Sequence, residues 1–108
     1  MGLINSQIRV SMLASQKLDL EYKILMITQA RASLSQSMGD LMQTGSDYTD
    51  PNSPVVKMLN QRQARLQQLE KRLQAQMDMY QTRLQMVDTE LQSAKAMREK
   101  AIANAFKY

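Results

Sequence analysis

Few side chains in this sequence have the type and spacing to do chemistry, and those few argue against catalysis. Asp47, Asp50 and Asn52 offer oxygen ligands at short intervals. The twelve-residue grammar of a calcium loop is missing around them, and such residues read as turn formers. Asp88 and Glu90 stand two positions apart in a helical stretch. That spacing points them in different directions, so they do not form an acid–base carboxylate pair. Histidine and cysteine are both absent. Their absence removes the usual general base near neutral pH, thiolate nucleophiles, disulfides and Cys-type metal sites. The sequence therefore carries no enzymatic constellation, and no cofactor and no metal are expected.

Basic residues Lys57, Arg62, Arg65, Lys71 and Arg72 cluster around the single acid Glu70. Such a cluster can contact phosphates, but it holds no aromatic side chain to stack on bases and no reading-helix motif. A solvated helix face is the simpler account, and nucleic acid is not expected as a partner. Residues 1–50 carry four basic and five acidic side chains, whereas residues 51–108 carry ten and five, so the second half supplies the positive charge. A helical adaptor or binding module that lays this basic segment on nucleic acid or an anionic membrane is the alternative function. A chaperone-like helper that grips a client helix is a third.

No run of eighteen apolar residues occurs, so no transmembrane segment is expected. Met1 to Ala14 lacks a basic leading region and interrupts its apolar residues with Asn5, Ser6, Gln7 and Arg9, unlike a secretory signal. The expected location is cytoplasmic, or exported without a cleaved signal peptide. Gly2 and Ser6 satisfy the loose N-myristoylation pattern, and the same residues also serve as the start of a helix.

The elements that hold these residues are long helices. Three glycines, two prolines, no tryptophan and one phenylalanine among 108 residues are far from the makeup of a sheet domain. A heptad seam runs through Leu3, Ser6, Val10, Leu13, Lys17, Leu20, Ile24, Ile27, Arg31, Leu34, Met38 and Leu41. A second stripe comprises Leu59, Leu66, Leu69, Leu73, Met77, Tyr80, Leu84, Val87, Leu91 and Ala94. Between them, Gly45 is placed to end a helix in the left-handed conformation, and Ser53–Pro54 reads as an N-cap followed by proline at the first helical position. The expected fold is all-α, in a single domain: helix 1 over 1–43, a loop over 44–53 and helix 2 over 54–108. Gly39 predicts fraying or a bend near the end of helix 1. A loop of this length returns the chain as an antiparallel helical hairpin or coiled coil, which then associates into a bundle or filament. Helix 2 is expected to outrun helix 1, leaving an overhang from Lys95 to Tyr108.

Helix 1 is apolar on two sides. Ile4, Ile8, Met12, Leu18, Tyr22, Leu25 and Met26 lie away from its seam, many of them nearly opposite it. A single partner arm covers only one side, so the chain is expected to be a homo-oligomer, with another protein as the further option. The ten methionines suit helix surfaces that repack against partners, and they serve equally as core filler. The two seams serve as the hairpin's internal core, and in a larger assembly the expected oligomer interface comprises Leu13, Leu20, Tyr22, Ile24, Leu25, Ile27, Leu34, Leu66, Leu73, Tyr80, Leu84, Leu91 and Phe106. Phe106 and Tyr108 are terminal aromatics that either fray or dock on a neighbouring subunit. Lys17 and Arg31 occupy seam positions where leucine would be more stable. Either they pair with carboxylates across the seam and fix register, or their stems snorkel to solvent.

Pro51, Asn52, Ser53 and Pro54 in the loop, with Ile102 and Phe106 near the far end, resemble the needle subunits of bacterial type III secretion systems. The resemblance covers those six residues and the helix–loop–longer helix order. It implies a small helical hairpin, export without a cleaved signal and head-to-tail packing into a helical tube.

Overall fold

In a computed structural model, residues 2–48 and 50–106 are described. They form two helices, α1 (Gly2–Gly45, 44 residues) and α2 (Pro54–Ala105, 52 residues). No strand occurs among the described residues. The heptad spacing explains both: apolar residues at alternating steps of three and four form a continuous stripe only on a helix.

The ends of the helices are set by side-chain hydrogen bonds more than by glycine. Gly45 is helical and its φ is not positive, so the expected left-handed ending is corrected. Hydroxyl groups close the last turn instead: Thr44 Oγ1 donates to the carbonyl of Asp40 (3.0 Å) and Ser46 Oγ to that of Gln43 (2.7 Å). The Ser46 amide also donates to the Met42 carbonyl at 3.1 Å. Because these bonds satisfy carbonyls at the end of the helix, it runs two residues past the expected 43. Gly39 neither frays nor interrupts it.

In the loop, the Asp50 carboxylate accepts the Asn52 amide at 3.0 Å, an Asx turn. The Ser53 N-cap is present, its hydroxyl accepting the Val55 amide at 3.3 Å while Pro54 opens α2. Helix α2 ends at Ala105 rather than at the chain's last residue, and Thr49, Met1 and Tyr108 lie outside the described residues.

The chain divides into two compact units. Unit 1 is Met1–Ile24 with Met79–Tyr108, and unit 2 is Leu25–Asp78. In unit 1 the two helical segments run antiparallel. Arg98 bonds Gln7 and Asp88 bonds Lys17, ten residues on in α1 and ten back in α2. The core of unit 1 is Val10, Leu13, Leu91 and Ala94, with Ala14 and Val87 packed against it. Unit 2 is also antiparallel, since Arg31 meets Glu70 while Gly45 lies against Leu59. Its buried apolar side chains are Ile27, Leu34 and Met77.

Candidate self-association surface

Ten of the thirteen residues expected at an oligomer interface lie on the seam that closes the hairpin. In unit 1 these are Leu13, Leu20, Ile24, Tyr80, Leu84 and Leu91; in unit 2 they are Ile27, Leu34, Leu66 and Leu73. All ten are buried or half-buried against their own chain. The physical reason is heptad phase, because each stripe faces the other arm first and is covered by it. Tyr22, Leu25 and Phe106 remain exposed.

The charged seam positions Lys17 and Arg31 are paired. Lys17 Nζ lies 2.8 Å from Asp88 Oδ1 and Arg31 Nη2 lies 3.0 Å from Glu70 Oε1, each side chain about one-third exposed. Of the two readings of Lys17 and Arg31, cross-seam pairing is the one realised. The hydrogen bond and charge of Asp88 raise the Lys17 pKa above the usual lysine value. Lys23 is raised in the same way by Asp19, 2.9 Å away, and its ammonium sits 5.6 Å from the centre of the Tyr80 ring. The hydrophobic pattern alone places Leu69 in the α2 stripe. The structure corrects this: Leu69 is exposed and Glu70 takes the seam position opposite Arg31. The signal was present in the steps of four and three that run from Gln63 through Leu66, Glu70 and Leu73, and it was obscured because two of those residues are polar.

The outer face of α1 is uncovered. In unit 1, Ile4, Ile8, Met12, Leu18 and Tyr22 are between 53% and 67% exposed. In unit 2, Leu25 and Met26 are exposed likewise. Among the described residues, eight apolar side chains are buried and eighteen large ones are exposed.

Lys57, Arg62, Arg65, Lys71 and Arg72 are all exposed. Arg62 and Arg65 line a hollow with Asp40, Ser37 and Thr44. No cluster of three or more acidic side chains able to hold a metal ion occurs among the described residues. Likewise, no helix there is long and apolar enough to cross a membrane. The expected overhang of α2 is shorter than Lys95 onward, because Arg98 bonds Gln7 and Ala101 is half-buried. Phe106 is 76% exposed.

Comparison of the chain with protein-family models, curated proteins and solved structures returns no match.

Proposed function

We propose that this chain is a non-enzymatic structural subunit, a helical hairpin that assembles with copies of itself. The observation that carries the reading is the outer face of α1, where Ile4, Ile8, Met12, Leu18 and Tyr22 stay more than half exposed after the hairpin has closed. Full burial of such an aliphatic side chain is worth about 1.5–3 kcal/mol, more than half of it still unrealised here, and the chain's other arm is already committed to the seam. A filamentous, secretion-associated assembly is the form favoured by the resemblance of Pro51–Pro54, Ile102 and Phe106 to needle subunits.

Light scattering with circular dichroism, over a protein concentration series, tests this reading. The expected result is a helical species whose mass rises with concentration. A helical monomer at every concentration would overturn it.

A further inference from the structure

We infer that the outer face of α1 in unit 1 pairs with the same face of a second copy, antiparallel and about a two-fold axis near Leu13. The inference rests on the self-assembly reading and specifies its contact. Residues Ile4, Ile8, Ser11, Ser15, Leu18 and Tyr22 follow one another by steps of four, three, four, three and four, which places them on one helical stripe. All six are exposed. Their order is palindromic: two large apolar residues, two serines, two large apolar residues.

A two-fold contact is isologous, so that if one residue meets another, the second also meets the first. Turning a second copy end for end sets Ile4 on Tyr22, Ile8 on Leu18 and Ser11 on Ser15. The stripe thus satisfies the two-fold along its whole length, and the small serines let the backbones approach at the centre.

The flanks decide between antiparallel and parallel pairing. On one side of the stripe lie Asn5, Met12 and Asp19, and on the other Gln7, Ala14 and Glu21. In an antiparallel helix pair each flank meets its own copy. Asp19 then faces the Asn5 amide, Glu21 faces the Gln7 amide, and Met12 and Ala14 each meet themselves. Every carboxylate gains an amide donor and no like charges oppose. The Gln7 oxygen already accepts from Arg98, which turns its NH2 to the donating role. A parallel pair would instead cross the flanks, setting Asp19 on Ala14 and Gln7 on Met12, polar against apolar. The pair closes on itself and is the unit from which any longer assembly is built.

The chain has no cysteine, so introduced thiols report contacts cleanly. Ser11→Cys, Ser15→Cys and Met12→Cys all replace exposed residues, and helicity by circular dichroism checks that each folds. A disulfide needs Cα atoms within about 7 Å, and a four-residue mismatch adds about 6 Å along the axis. Under mild oxidation, a mixture of the Ser11→Cys and Ser15→Cys chains is therefore expected to give roughly tenfold more linked dimer than either alone. Met12→Cys, on the axis, is expected to link to itself. Ser11→Cys and Ser15→Cys chains that each link to themselves, with Met12→Cys unlinked, would overturn the antiparallel contact. No linkage in a wild-type-like oligomer would also overturn it, leaving self-assembly standing through another surface. A wild type that stays monomeric throughout would defeat both readings.

Discussion

Leu13 and Leu18 are the same residue five positions apart on one helix, 6% and 67% exposed respectively. Changing either to alanine removes three carbons, worth about 2.4 kcal/mol if fully buried. At Leu13 nearly all of that is lost, and the cavity left beside Val10, Leu91 and Ala94 adds to it. Leu13→Ala should therefore cost about 3 kcal/mol at any protein concentration. At Leu18 only about a third of the gain is made within the chain, so dilute protein should lose about 0.8 kcal/mol. The other two-thirds, about 1.6 kcal/mol per copy, is available only to a partner. Over two copies this weakens association roughly 200-fold. Urea unfolding followed by circular dichroism, at dilute and concentrated protein, separates the two effects, and sedimentation equilibrium gives the association constant. The reasoning is refuted if Leu18→Ala costs as much as Leu13→Ala in dilute solution, or if it leaves association unchanged.

Three further outcomes follow from the seam and the helix ends. Reversing Arg31 to glutamate sets two carboxylates against each other at the position of a 3.0 Å ion pair. The double variant Arg31→Glu, Glu70→Arg should recover stability, with a coupling of about 1 kcal/mol in a double-mutant cycle. Asp88 raises the Lys17 pKa above the ordinary lysine value. A base whose folded pKa is raised contributes stability that is complete below its unfolded pKa and is lost as pH rises through the folded one. Urea midpoints of wild type and Lys17→Arg should therefore run in parallel from pH 7 to 9, and the wild type should fall relative to the variant only above about pH 10.5. Parallel curves throughout would contradict the pairing. Gly39→Ala should raise stability by about 0.5–1 kcal/mol, because an added Cβ meets nothing within 4 Å on a helix that runs straight through. A fall in melting temperature would show that the glycine is needed.

The fold was legible because period is a backbone property. Seam positions Val10, Leu13, Leu20, Ile27 and Leu34 are buried as the heptads require, and the Ser53 cap is where its residue types put it. The interface was less legible, because a stripe alone does not say whether its partner is the same chain or another. Leu20, Leu84 and Leu91 suit the hairpin's own core as well as a contact between copies, and in the structure the second arm covers them. What distinguishes a free stripe from a filled one is phase: Ile4, Ile8, Leu18 and Tyr22 sit opposite the seam, where no segment of their own unit reaches. Glu70 is not legible as a seam residue from hydrophobicity, because a cross-seam ion pair breaks that signal on both arms. Gly45 misled for a related reason. Glycine permits a left-handed ending without enforcing one, and the hydroxyls of Thr44 and Ser46 supplied another.

The central claim is that a second molecule covers the outer face of α1, and the methionines report on it without any substitution. Met12 lies on that face at 59% exposure, Met97 on α2 is 53% exposed, and Met77 is buried at 6%. Oxidative labelling with peroxide, read by mass spectrometry across a concentration series, should find Met77 slow and Met97 fast throughout, while Met12 passes from fast to slow as concentration rises. Met12 reacting as fast as Met97 at every concentration would contradict the account.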